Sequence, residues 1–336
     1  MRVAFLGKGG AGKTTTSAGF IRYLASKKPF VLAVDADVNA HLKGALHRTD
    51  WSGQEFEIGE EREAIISYLK GDRQDLGDRT MVGTTPPSSK SRFIEVSKHD
   101  PLISKYALTS GNIALLTVGT YKESDVGGAC YHVKLTGLQS FFHHLLDGEE
   151  DYVVADTTAG TDNVATSLSF AYDMNVFVVE PTKKSVQVYL DYLTVAPHLA
   201  ERTYVIANKV DTPEDELFIL KHVPKDKLLG AVPHSKHLKR FEQGRKEALD
   251  DFMKEQEVVF ERVLSTWQEK KRNWNMKLKS CHQRLKIFKT IWILKMSCYM
   301  MRSTEKKSNM VFNTCLFQYI WILMILIVFS LFTHPY

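Results

Sequence analysis

A doubly wound α/β fold built on a mostly parallel sheet is what this 336-residue chain predicts, with a basic and then apolar tail at its C-terminal end. Two observations predict the fold. Short, nearly continuous apolar runs alternate with longer helical segments as far as about residue 240, as expected of strands covered on both faces by helices. The first run, Val3 to Leu6, leads directly into a glycine-rich turn that opens a helix at Lys13.

Taken in order, the sequence predicts a strand over Val3 to Leu6, a helix over Lys13 to Ala25 and a strand over Val31 to Val34. A less regular stretch follows from about Ala45 to Asp100. It holds an amphipathic helix over Glu60 to Leu69 and a Thr84-Thr85-Pro86-Pro87-Ser88-Ser89 loop. Strands are expected over Ile113 to Val118, Tyr152 to Ala155, Val176 to Val179, Tyr204 to Ala207 and Leu228 to Val232. Between them, helices are expected over Val133 to Leu146, Asn163 to Phe170, Ser185 to Leu193 and Glu214 to Leu220. A long helix of mixed charge starts near Phe252.

Charge is unevenly placed. The formal net charge is +5, but residues 269–307 carry twelve Lys or Arg against two acids, so residues 1–268 carry a net −5. An acidic body argues against a nucleic-acid binder. Of four cysteines only Cys130 lies in the body, and no spacing suggests a disulfide framework. The opening apolar run is far too short for a secretory signal, so the expected location is cytoplasmic. The expected organisation is a domain over residues 1–268, a basic tail without regular structure over 269–314, and an apolar run over 315–333. At about 1.5 Å per residue that run would span roughly 28 Å, close to a bilayer core. It reads either as a membrane anchor or as an extension translated from noncoding sequence.

The chemistry begins at Gly7-Lys8-Gly9-Gly10-Ala11-Gly12-Lys13-Thr14-Thr15. Glycines between a strand and a helix present successive backbone N–H groups to phosphate oxygens. Lys13 is placed to reach β- and γ-phosphates, and the Thr14 hydroxyl to ligate Mg²⁺. Two carboxylates, Asp35 and Asp37, follow the second strand, at the sheet edge where ligands bind in such folds. Tyr152-Val153-Val154-Ala155-Asp156 is four apolar residues and then an acid, suited to hold Mg²⁺ through water. Gly160 follows as a candidate phosphate-sensing switch.

The second lysine, Lys8, makes the loop resemble the deviant Walker A motif of the MinD/ParA-type ATPases, a group with the P-loop NTPase fold. That resemblance implies an ATP-dependent homodimer in which Lys8 reaches the partner's phosphates, as an arginine finger does. It implies that Asp35 aligns the attacking water and Asp37 supports Mg²⁺, with the two roles open to exchange. It also implies that Asn208 and Pro233 contact adenine. Asn208-Lys209-Val210-Asp211 leaves a guanine-reading alternative, in which Asp211 would accept from the base.

Within the group, Gly127-Gly128-Ala129-Cys130-Tyr131-His132 resembles the metal-binding stretch of the carbon monoxide dehydrogenase accessory ATPases, which insert nickel. His132 stands where those proteins have a second cysteine. Cys130 and His132, doubled across a dimer, would offer S₂N₂ to Zn²⁺ or Ni²⁺; a buried cysteine beside a helix-start histidine is the structural alternative. The expected function is therefore Mg²⁺-dependent ATP hydrolysis coupled to a client protein, with a membrane- or DNA-positioning ATPase as the other reading.

Overall fold

The computed structural model describes residues 1–271, except 77–80, 83, 84, 86, 126–130, 149, 162, 163, 165 and 246. The basic tail beyond Lys271 and the apolar run 315–333 lie outside the described residues. Among those described, no helix is long and apolar enough to cross a membrane.

Ten strands and nine α-helices alternate along the described chain. They run β1 (Arg2–Gly7), α1 (Lys13–Lys27), β2 (Val31–Ala36), α2 (Leu42–Ala45), α3 (Arg62–Lys70), β3 (Ile94–Glu95), α4 (Pro101–Tyr106), β4 (Leu108–Ser110) and β5 (Ile113–Thr117). Next come α5 (Tyr131–His144), β6 (Leu145–Leu146), β7 (Tyr152–Thr157), β8 (Met174–Val179), α6 (Lys183–Val195), β9 (Thr203–Asn208) and α7 (Pro213–Leu220). The order closes with β10 (Leu228–Val232), α8 (Lys236–Glu242) and α9 (Ala248–Lys271).

Eight strands form one sheet in the order β10-β9-β8-β1-β7-β2-β5-β4. Every pairing in it is parallel except β4 with β5 at the edge. The predicted mostly parallel sheet is thus observed, and its central strands are buried along their whole length. Each run is continuously apolar because helices cover both faces. On one face α1 and α9 pack together: Phe20 of α1 meets Phe260 at 5.9 Å and Trp267 at 6.0 Å between ring centroids. Leu69 of α3, Phe142 of α5 and Tyr189 of α6 belong to the core of the other face.

Register sets the site. Asp35 of β2 lies opposite Asp156 of β7, and Phe5 of β1 flanks the same Asp156. Two acids therefore sit side by side at the carboxyl edge, one strand from the glycine loop.

Two local expectations needed correction, and one short strand was not expected. The helix expected over Asn163 to Phe170 is, in its described part, a 3-10 turn over Ser167–Phe170, with the Thr166 hydroxyl accepting from the Leu168 N–H. A threonine that bonds nearby backbone favours such a cap over a helix interior. The helix expected to run to Leu146 stops at His144, because Leu145 and Leu146 pair in parallel with Ile94 and Glu95. Strand β4 carried only three residues of pattern, too few to register as a period.

Candidate functional site

The loop between β1 and α1 has a conformation that its glycines permit. Gly7 has φ +147°, and a Cβ there would stand 2.5 Å from the Val178 carbonyl oxygen. Gly12 has φ +93°, and a Cβ there would meet the Asn208 amide nitrogen at 2.3 Å. Any other residue would push the loop off β8 and β9. Helix α1 then starts at Lys13 with no side-chain cap and no acid in its first turn. Its N-terminal N–H groups and dipole are thereby left to an anion.

Side chains from the neighbouring strand ends fix the loop from outside. Asn208 Nδ2 donates to the Ala11 carbonyl at 2.8 Å. Lys209, at φ +60°, donates from Nζ to the Gly10 carbonyl at 2.8 Å and pairs with Glu180. Lys8 Nζ donates to its neighbour's carbonyl, Gly9, at 3.0 Å and lies 3.8 Å from Glu180 Oε2.

The acids converge on Lys13 and Thr14. Lys13 Nζ is 3.5 Å from Asp37 Oδ2, and Thr14 Oγ1 donates to Asp156 Oδ2 at 2.7 Å. Asp35 is buried, and its two oxygens accept from the backbone N–H groups of Asp37 at 3.2 Å and Leu42 at 2.8 Å. Asp37 Oδ1 accepts from both the backbone and side-chain nitrogens of Asn39 at 2.9 Å. Burial pushes the Asp35 carboxyl up to about 7, against the pull of the Leu42 N–H, and the Asp156 charge adds to the rise. Burial likewise pushes Asp156 up to about 6, with Lys13 and the Thr14 hydroxyl holding it down.

These donors fit a hard divalent cation. Asp156 Oδ1 is buried without a hydrogen-bond partner among the described residues, beside the Thr14 hydroxyl. Mg²⁺ is commonly held by one or two protein oxygens, waters and substrate phosphates, so this sparse set suits it. Thr14 and Asp156 would hold the ion, which would supply charge neutralisation between phosphate oxygens.

Beside the loop, a cavity of about 300 Å³ is lined by Gly12, Thr16, Asn208, Pro233 and Gln256 among others. That volume is at the lower end for a small-molecule site. Asp211 is not part of its wall. Its carboxylate accepts from the His234 backbone N–H at 2.8 Å and contacts His234 Nδ1 at 2.9 Å. The Gly160 N–H donates to the Gly7 carbonyl at 3.0 Å, so the expected switch residue is tied to the first residue of the loop.

Cys130 lies outside the described residues. His132, the second residue of α5, is half-buried. Among the described residues, no group of three or more His, Cys, Asp or Glu side chains is arranged to hold a metal. Tyr131 between them is buried, with its hydroxyl unpartnered among the described residues. Burial raises its phenol, and the nearby Asp35 and Asp37 charges raise it further. The predicted loop, acids, Asn208 and Pro233 therefore come together, whereas Asp211 is directed to His234.

Glu180, Lys209, Tyr131 and Gln256 were not among the residues expected here. Glu180 and Lys209 follow the ends of β8 and β9, so the strand-end rule that found Asp156 would have found them. Gln256 offered no such signal, since it lies in a helix and follows no strand end.

Known proteins share this sequence pattern and fold. The family model for the CobQ/CobB/MinD/ParA nucleotide binding domain matches residues 3–247. The carbon monoxide dehydrogenase accessory protein CooC of Rhodospirillum rubrum is 28% identical over 244 residues, covering 72% of this chain and 87% of that protein. An uncharacterised ATP-binding protein of Methanocaldococcus jannaschii is 32% identical over 244 residues, covering 71% and 87%. In fold, a ParA family ATPase from Chlorobium tepidum aligns at TM-score 0.50 and 15% identity, over 78% of this chain and 98% of that one. A plasmid partition protein from Borrelia burgdorferi bound to AMPPNP aligns at TM-score 0.50 and 16% identity, over 79% and 98%.

Proposed function

This chain belongs to the CobQ/CobB/MinD/ParA nucleotide-binding family, and from that premise we propose that it is a Mg²⁺-dependent ATPase working as a dimer switch in the maturation of a metalloenzyme. The observation that carries the reading is the convergence of Lys13, Thr14, Asp37 and Asp156 beneath the uncapped start of α1.

In this reading the N–H groups of Gly9 to Thr15 cradle the phosphates, and Lys13 neutralises charge at the bond that breaks. Thr14 and Asp156 hold Mg²⁺. Of the two roles left open for the β2 acids, we assign alignment of the attacking water to Asp37. Asp35 spends both oxygens on backbone N–H groups and so organises the turn from Asp37 to Leu42. Asp37 keeps Oδ2 toward Lys13, where the phosphate would lie. Adenine is favoured over guanine because Asp211 is engaged by His234 and is absent from the cavity wall. The γ-phosphate would draw the Gly160 N–H from Gly7, and Lys8 would cross to the partner.

The maturation role rests on likeness to CooC over most of both chains. Tyr131, next in sequence to Cys130 and His132, supports it, since its buried phenol feels the charges of Asp35 and Asp37. Zn²⁺ or Ni²⁺ at a paired Cys130/His132 site would then be cargo.

The test is phosphate release with Mg-ATP, Mg-GTP and EDTA. The expectation is slow, Mg²⁺-dependent hydrolysis that prefers ATP, reduced at least about 100-fold by Lys13→Ala or Asp37→Ala. A wild type that cleaves GTP faster, or an Asp37→Ala variant of full activity, would overturn the corresponding assignment.

A further inference from the structure

We propose that Gln256 of α9 reads the edge of the adenine base, from outside the stretch that the family model matches. The inference rests on the adenine-nucleotide reading above and extends it to a specificity residue on the C-terminal helix.

Gln256 is 3% exposed, and its Nε2 has no hydrogen-bond partner among the described residues. It shares the wall of the cavity of about 300 Å³ with Gly12, Asn208 and Pro233, next to the phosphate loop. A buried amide donor left unpaired costs about 1–3 kcal/mol, and native structures rarely keep one without a use. Gln256 shares that wall with apolar Phe252, one turn earlier on α9, and Val232 at the end of β10, and with polar Thr16 and Ser235. The amide lies in the cavity wall, and a turn about its side-chain torsions would present it to what enters.

A carboxamide presents a donor and an acceptor side by side. Adenine presents a ring-nitrogen acceptor beside its exocyclic amine, the pairing by which Gln recognises that base in nucleic acids. Asn208 has one of its two Nδ2 hydrogens committed to the Ala11 carbonyl and so does not present a free amide edge. Gln256 supplies it instead. The arrangement also joins base recognition to α9, which packs its Phe260 and Trp267 on α1, the helix of the phosphate loop.

The experiment is calorimetric titration of the full chain in Mg²⁺ with ADP, GDP and purine riboside 5′-diphosphate, which lacks the exocyclic amine. Wild type is expected to bind ADP most tightly. Gln256→Leu should lose roughly 2–10-fold in ADP affinity, the worth of one hydrogen bond, while purine riboside diphosphate changes by less. Its thermal midpoint should equal or exceed that of wild type. Gln256→Glu, which keeps the size and an acceptor for the amine but loses the donor to the ring nitrogen, should weaken ADP and purine riboside diphosphate together while GDP does not weaken, narrowing the preference for ADP over GDP, and stands in should the leucine variant not fold. A wild type that binds GDP as tightly as ADP would overturn the adenine reading and this inference with it. A wild type that prefers ADP, with variants that keep the same advantage or weaken all three ligands equally, would overturn the inference alone.

Discussion

Asp156 shows at the scale of one side chain how the site trades stability for chemistry. Its carboxyl is fully buried and raised to about 6, chiefly by desolvation. Between about pH 4 and pH 6 the folded protein holds a proton that the unfolded chain has released, so this group's contribution falls as pH rises through that window. Asp156→Asn removes the titration. The variant is expected to gain about 1–3 kcal/mol over wild type at pH 8 and to lose that advantage near pH 4. Urea midpoints at the two pH values check this, and an advantage independent of pH would contradict it. The same variant should lose Mg²⁺-dependent hydrolysis, because the carboxylate is where the cation is expected. Residues of this kind were legible in the sequence because each follows an apolar strand, and parallel sheets bring strand ends together. Gln256 and Tyr131 were not. Their positions depend on how helices far along the chain settle on the sheet, which no local pattern encodes.

Helix α9 makes the corresponding point for elements. Its mixed-charge helical character is visible in sequence from Phe252, and the structure starts it four residues earlier, at Ala248. What the sequence did not disclose is its partner. Gly19 of α1 lies under Phe260, where an added Cβ would come within 2.8 Å of the ring. Trp267 is 1% exposed and packs edge-on to Tyr152 of β7 at 5.5 Å. A helix pair of this closeness is set by the missing side chain as much as by the aromatic ones. Trp267→Ala leaves a cavity between α9, α1 and the sheet. It is expected to cost about 3–5 kcal/mol of stability, read as a lowered denaturant midpoint. A loss below about 1 kcal/mol would mean that α9 is not part of the cooperative unit.

At the scale of the molecule, the fold was legible because alternating buried strands and helices leave few alternatives to a doubly wound sheet. Since α9 supplies Phe260 and Trp267 to the core, the family-matched stretch ending at residue 247 lacks part of it. A chain ending at Lys271 is expected to bind Mg-ATP as the full chain does, and one ending at residue 247 to be unstable, by thermal melts with and without nucleotide. The dimer is the remaining question, and Lys8 is where it can be asked. Its ammonium is about a third exposed, with a carbonyl at 3.0 Å and Glu180 at 3.8 Å as its partners. An ion pair that open to water is worth at most about 1 kcal/mol. Charge-assisted bonds to phosphate are worth roughly 1.5–3 kcal/mol each. Exchanging the first for the second favours a lysine that leaves its own chain once a partner brings bound ATP within reach. Size-exclusion chromatography of Asp37→Ala with Mg-ATP should therefore show a dimer, since hydrolysis no longer resolves it, and the Lys8→Ala, Asp37→Ala double variant should elute as a monomer that still binds ATP. A double variant that dimerises as readily as the single one would remove Lys8 from the interface and leave Glu180 as its proper partner.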